Sequence, residues 1–180
     1  MRKQNKKIID SAVIINLLDT CPVGRLGTVG ADGWPMVKPL NFAYREGRIY
    51  FHCALQGEKL DDIRRDPRVC FEVDLPIAYV KGAPDNPCRA EYLYRSVIIR
   101  GRAVIVEDRG EQIAALDALM RKYQPEGGYG PYPEEKLALT GIVRIDIEDL
   151  SGKEELGKDG MRERALQLMA EEAPLPVVFE

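Results

Sequence analysis

Pro39-Leu40-Asn41-Phe42-Ala43-Tyr44-Arg45-Glu46-Gly47-Arg48-Ile49-Tyr50-Phe51-His52-Cys53-Ala54-Leu55-Gln56-Gly57-Glu58-Lys59 reads as strand, tight turn, strand, short loop and the start of a helix. The only histidine of the chain, Lys59 and a glycine-bearing loop fall within this hairpin and its exit, with Lys38 just ahead of it. A sheet strand presents backbone hydrogen-bonding groups to a flat ring. The first N–H groups of a helix have no intrahelical partner and suit a phosphate. Strand plus helix start therefore makes a cradle for a phosphorylated planar cofactor. The arrangement is not specific, since many hairpin–helix units bind nothing.

Upstream, Asp10 or Ser11 can cap a helix to about Asp19, with Val13, Leu17 and Ile14, Leu18 at helical spacing until Cys21-Pro22 stops it. From Gly24 the period changes to two, and Gly30-Ala31-Asp32-Gly33 turns the chain. The next strand is expected over Trp34 to Tyr44, with Trp34, Met36, Lys38, Leu40, Phe42 and Tyr44 on one face. Pro35 and Pro39 cannot donate to a ladder and predict an edge or a bulge.

Downstream, a helix over Lys59 to Arg65 ends at Asp66-Pro67, and Arg68 to Asp74 forms a strand. Leu75 to Glu91 carries three prolines and reads as an irregular excursion. A long strand over Tyr92 to Val106, broken at Gly101, precedes a helix from Asp108 or Arg109 to Tyr123. The helix stripe Ile113, Leu116, Leu119, Met120 reads as core. A Gly/Pro/Tyr loop (124–133), a strand over Gly141 to Leu150, a helix near Met161 to Glu172 and a fraying or docking tail from Pro174 complete the chain. Closely spaced strands with short connections indicate a mainly β, α+β fold: an antiparallel barrel or meander with flanking helices.

The length of 180 residues suits one domain with a real core. A net charge of -3 gives no general pull toward nucleic acid or an anionic membrane, and Arg2, Lys3, Lys6 and Lys7 read as a solvated extension. No apolar run is long enough to span a bilayer and no secretory signal is visible. The four cysteines form no Cys-x-x-Cys pair, and one histidine excludes a two-histidine metal site, so no metal is expected. Cys53 and Cys70 read as buried thiols, and the protein as cytoplasmic and reduced. The recurring glycines from Gly24 to Gly33 match neither a dinucleotide fingerprint nor a P-loop. His52 and Cys53 are adjacent on a strand and point to opposite faces, which argues against a Cys–His hydrolase. His52 stands open between an ordinary strand histidine and a catalytic group. Lys59 stands open between a phosphate site and membership, with Arg64, Arg65 and Arg68, of a solvated basic face.

The segment from Gly24 to Val73, GRLGTVGADGWPMVKPLNFAYREGRIYFHCALQGEKLDDIRRDPRVCFEV, closely resembles the pyridoxamine 5'-phosphate oxidase-like flavin-binding split barrels, most of all their nitroimidazole-resistance (nitroimidazole reductase) branch. YRSVIIRGRAVIVED and GIVRIDIEDLSGK extend the likeness, which covers about Ser11 to Lys153. It implies a six-stranded split barrel over residues 1–153, and 154–180 as a helical tail in the same domain or at a dimer contact. It further implies a homodimer with FMN, or FAD, at the subunit interface.

By the same resemblance, Lys38 and Lys59 meet the flavin phosphate and Pro39, Leu40 and Asn41 line the isoalloxazine. His52, Cys53, Ala54 and Gly57 close over the flavin, and Ser96 lies near the interface. The implied activity is a flavin-dependent oxidoreductase, taking electrons from a nicotinamide donor and passing hydride from flavin N5 to a nitroaromatic or other small acceptor. His52 would position substrate or donate a proton. Flavin binding without turnover and a haem-binding relative are the competing readings. The arginine-bearing carboxy-terminal segment of true pyridoxamine phosphate oxidases has no counterpart in EEAPLPVVFE, which argues against vitamin oxidation.

Overall fold

The computed structural model describes residues 4–158, 160–171 and 176–179. In chain order the elements are β1 (Lys7–Ile8), α1 (Ser11–Thr20), β2 (Gly24–Val29), β3 (Pro35–Leu40), β4 (Ala43–Arg45), β5 (Arg48–Ala54), α2 (Glu58–Arg65) and β6 (Arg68–Val80). They continue with β7 (Glu91–Ile105), α3 (Arg109–Tyr123), α4 (Glu134–Leu137), β8 (Thr140–Glu155), α5 (Gly160–Ala170) and β9 (Val177–Phe179). Among the described residues one sheet pairs in the order β3-β2-β6-β7-β8-β5-β4, with β1 on β8 and β9 on β6. Without the two-residue β1 and the three-residue β4 and β9, the six strands expected from the sequence remain. The fold is mainly antiparallel sheet with flanking helices, and the pairing of β9 with β6 is parallel. Among the described residues no helix is long and apolar enough to cross a membrane.

The chain forms two compact units. One, from the described parts of Met1–Leu17, Asp74–Val97 and Ser151–Glu180, packs Ile77, Ala78, Leu93, Leu156 and Ala165 together. The other, Leu18–Val73 with Ile98–Leu150, buries Phe42, Phe51, Phe71, Leu26, Ile49 and Ile145. In it the rings of Phe42 and Phe71 meet edge to face at 5.0 Å, a geometry that suits the ring quadrupoles.

Several expectations are corrected. The strand expected over Trp34 to Tyr44 breaks at Asn41-Phe42 into β3 and β4. Met36, Lys38 and Leu40 share a half-buried face, whereas Trp34 is exposed and both Phe42 and Ala43 are buried. The prolines fit because β3 ends the strand order, where one side of the strand meets no neighbouring carbonyl that needs a donor. The excursion expected from Leu75 starts later, since β6 runs on to Val80. Pro76 lies between the stretch of β6 paired with β2 (Cys70–Glu72) and the stretch paired with β9 (Ala78–Val80). Gly101 does not break β7; a Cβ there would lie 2.2 Å from the Asp146 carbonyl oxygen, so it permits close backbone approach instead. β8 continues past Leu150 to Glu155. Lys7 is not in a solvated extension but pairs in β1, and Lys6 is ion-paired to Glu155. Cys70 is exposed rather than buried, and Cys53 is half-buried. Part of the expected tail, Val177–Phe179, is a strand, while residues 172–175 lie outside the described residues.

Candidate active site

The hairpin β4–β5 turns through Glu46 (φ 52°) and Gly47 (φ 78°), and Arg45 pairs with Arg48 across it. Positive φ at both central residues is the twist-matched two-residue turn, and it fixes the register of β5. Within β5, Ile49, Tyr50 and Phe51 are buried. His52 and Cys53 then leave on opposite faces, each into a different cavity.

The first cavity, about 290 Å³, is lined by Lys38, Cys53, Ala54, Gln56, Gly57, Glu58, Lys59 and Leu60. Helix α2 forms its floor. Leu60 and Ile63 bury the apolar face of α2, and the buried Asp62 accepts a hydrogen bond from the Thr28 hydroxyl at 2.8 Å and another from Arg65 at 2.8 Å. Burial alone would push the Asp62 carboxyl up. The Arg65 and Thr28 hydrogen bonds outweigh it and hold the group below the usual carboxylate range. Gly57 stands at the N-cap with φ 128° and ψ 160°, and no side chain caps the helix. Its carbonyl accepts from Leu60 N–H (2.9 Å) and Asp61 N–H (3.2 Å), and a Cβ would find open space there. Lys38 donates to Glu58 at 2.7 Å, and the Lys59 ammonium lies 5.0 Å from the centroid of the buried Phe51 ring. Two cations thus face one carboxylate beside a helix start, a combination that suits an anionic oxygen cluster. Burial pushes the Cys53 thiol up against the pull of Lys59 and Arg64, which lowers its thiolate fraction.

The second cavity, about 280 Å³, opens on the other face of β5. Asn41, His52, Lys136 and Thr140 give it polar groups, and Leu116, Leu119, Met120 and Leu137 give it apolar walls. It is built by α3 and the segment after it. Asp108 caps α3 by accepting Glu111 N–H at 2.7 Å. At the other end of α3, Phe42 N–H donates to the Tyr123 hydroxyl oxygen (2.9 Å), and that hydroxyl donates to the Pro22 carbonyl (2.8 Å). One phenol thereby pins the β3–β4 break that carries Asn41. Tyr132 closes the loop over the cavity by donating to Asp117 at 2.8 Å. Behind the wall, Arg144 bridges Glu111 (2.9 Å) and Asp146 (2.8 Å), and Tyr50 donates to Glu111 at 2.9 Å.

The expected site residues are therefore divided. Lys38, Cys53, Ala54, Gly57 and Lys59 meet in one cavity, and Asn41 and His52 in the other. Pro39 is exposed and Leu40 half-buried on β3, and Ser96 is half-buried on β7 in the other compact unit. Sequence reasoning missed Tyr123, Tyr132 and Lys136. Tyr123 ends α3 and Lys136 lies in α4, where no sequence signal marks them; the Gly/Pro/Tyr composition of the loop that holds Tyr132 predicts irregular backbone but not which cavity it covers.

The model of the pyridoxamine 5'-phosphate oxidase family matches residues 10–154. A curated relative, the 5a,11a-dehydrotetracycline/5a,11a-dehydrooxytetracycline reductase of Streptomyces rimosus, is 32% identical over 93 residues, or 49% of this chain. The match spans 58% of that reductase, less than two thirds of its length. Two solved structures share the fold. A candidate 5-nitroimidazole antibiotic resistance protein from Bacteroides thetaiotaomicron superposes with TM-score 0.72 at 24% identity, covering 82% of this chain and 85% of that one. The FAD and haem binding protein from Mycobacterium smegmatis superposes with TM-score 0.75 at 20% identity, covering 90% and 79%. With the family model matched from Asp10 to Glu154, across both cavities and every long strand, the chain belongs to the pyridoxamine 5'-phosphate oxidase family.

Proposed function

We propose that this chain is a flavin-binding oxidoreductase that passes reducing equivalents from a nicotinamide donor to a small organic acceptor. The observation that carries the reading is the cavity at the start of α2, where Lys38 and Lys59 face an uncapped helix N-terminus over the open floor at Gly57. That donor set fits a phosphate monoester, which favours FMN; FAD would place its pyrophosphate in the same cradle. When bound, the flavin supplies hydride transfer at its N5. Lys38 and Lys59 hold the phosphate. The edge strand β3, through Pro39 and Leu40, and Asn41 in the break after it offer backbone groups to orient the ring. His52 and Asn41 open into the apolar cavity, which suits the acceptor; there His52 positions it or gives it a proton. A homodimer with the flavin at its interface is part of the same proposal, as the family likeness implies. Electron-poor conjugated or nitro-bearing rings are the acceptor class, following the named reductase and nitroimidazole resistance relatives.

The test is the visible spectrum of purified protein with FMN or FAD added, mass identification of the released chromophore, and then nicotinamide-driven turnover on such acceptors. Flavin bands with turnover support the reading. Flavin bands without turnover across varied acceptors reduce it to a binding module, and a Soret band moves it to haem. A colourless protein that refuses both flavins overturns it.

A further inference from the structure

A third cavity, about 370 Å³, lies between the end of α1, β4 and α3, and is lined by Asp19, Ala43, Tyr44, Arg45, Ala118, Arg121 and Lys122. It shares no lining residue with the other two. Three cations stand against one carboxylate, so it favours a compact anion. Lys122 is half-buried, as are Tyr44 and Arg45. The Lys122 ammonium donates to the Leu18 carbonyl at 2.8 Å and sits 3.5 Å from the centroid of the Phe42 ring and 5.6 Å from that of Tyr123. These contacts fix the nitrogen at the cavity wall instead of letting it swing in water. Arg45 donates to the exposed Glu46 at 2.8 Å.

We propose that Lys122 is an acylation site, and that Arg45 and Arg121 recruit acyl donors whose leaving group is a phosphate. In the step, the lone pair of neutral Lys122 Nζ attacks the acyl carbonyl. An N–C bond forms, the C–O bond to phosphate breaks with its electron pair leaving on inorganic phosphate, and the amine proton passes to that phosphate. No electrons change hands, and no metal or second protein is needed. The product amide keeps an N–H for the Leu18 carbonyl but loses the cation over Phe42.

Burial raises the neutral fraction of the amine, pushing Lys122 down to about 8 against the opposite pull of Cys21 and Asp19. The groups that face or flank it are Asp19 of α1, Cys21 after α1, Tyr44 and Arg45 of β4, and Arg121 and Tyr123 of α3. Asp19 is itself pushed up by burial.

The experiment treats the full chain with acetyl phosphate over pH 6.5–9.5 and maps acetyl-lysine by peptide mass. Lys122 is expected to react ~10-fold faster than exposed lysines such as Lys158, with a rate that levels off at a lower pH than theirs. Arg45→Gln with Arg121→Gln should slow acetylation by acetyl phosphate severalfold yet leave labelling by the uncharged N-hydroxysuccinimidyl acetate unchanged. The uncharged thioester S-acetyl-N-acetylcysteamine serves as the thioester arm and should show no dependence on the two arginines. Lys122 reacting no faster than Lys158, or the arginine variants slowing neither reagent or both alike, overturns the proposal.

Discussion

Replacing Gly57 by alanine isolates the backbone contribution to the proposed phosphate cradle. Nothing lies within 4 Å of the position its Cβ would take, so no clash confuses the result. What remains is a residue held at φ 128° and ψ 160°, a region essentially confined to glycine, at ~1–3 kcal/mol for any other residue. If the loop keeps its course, that energy is subtracted from stability and lowers Tm by ~2–12 °C for a chain of this size. If the loop relaxes instead, the Gly57 carbonyl leaves Leu60 N–H and Asp61 N–H, and the first-turn donors of α2 turn away from the cavity. The same energy then appears as ~5- to 150-fold weaker FMN binding. Thermal unfolding of the flavin-free protein and a fluorescence titration with FMN separate the two outcomes. A Gly57→Ala protein unchanged in both Tm and FMN affinity would refute the claim that this backbone conformation is built for the site.

Thr28→Val removes the hydroxyl that donates to buried Asp62 and should cost ~1–3 kcal/mol, read as a lower urea midpoint at unchanged m-value. Arg144 first, with Tyr50 helping and burial opposing, holds Glu111 below its ordinary 4.5. Its folded-state pKa is thus lower than its unfolded one. The stability it contributes is full above pH 4.5 and is lost as pH falls through the folded value, so Glu111→Gln should flatten the acid limb of a stability–pH curve below pH 4.5. Tyr123→Phe strips the acceptor from Phe42 N–H, and hydrogen exchange at that amide should speed up by ~5- to 150-fold, the equivalent of ~1–3 kcal/mol of local protection.

Much of the fold was legible because each long element carries a periodic signal or a stop. Asp108 before α3, Asp66-Pro67 after α2 and the Glu46-Gly47 turn all mark element ends in the structure. The errors fall where a side chain's meaning depends on its neighbour strand. Pro76 looked like a breaker because sequence does not show that it falls between two paired stretches. Ile113 looked like core on its helical stripe, yet it is 37% exposed, and the small Ala115 and Ala118 are buried in its place. At the site, the alternation of β5 was enough to send His52 and Cys53 to opposite faces. What each face met was not, since Tyr123 reaches Phe42 across 81 residues and Thr28 reaches Asp62 across 34.

The two-residue connection through Glu46 and Gly47 has a consequence for how this protein can be altered. His52 and Cys53 leave β5 on opposite faces, one into each cavity, so the length of that connection decides which cavity each of them reaches. Adding or removing one residue there, with the pairing to β8 preserved at the far end, would twist or bulge the hairpin. With the pairing shifted instead, the imidazole would move to the lysine-lined side and the thiol to the apolar side. Loop grafts between relatives at this point therefore behave as exchanges of chemistry between two chambers, and an odd change in length is the one to avoid when the aim is to keep both.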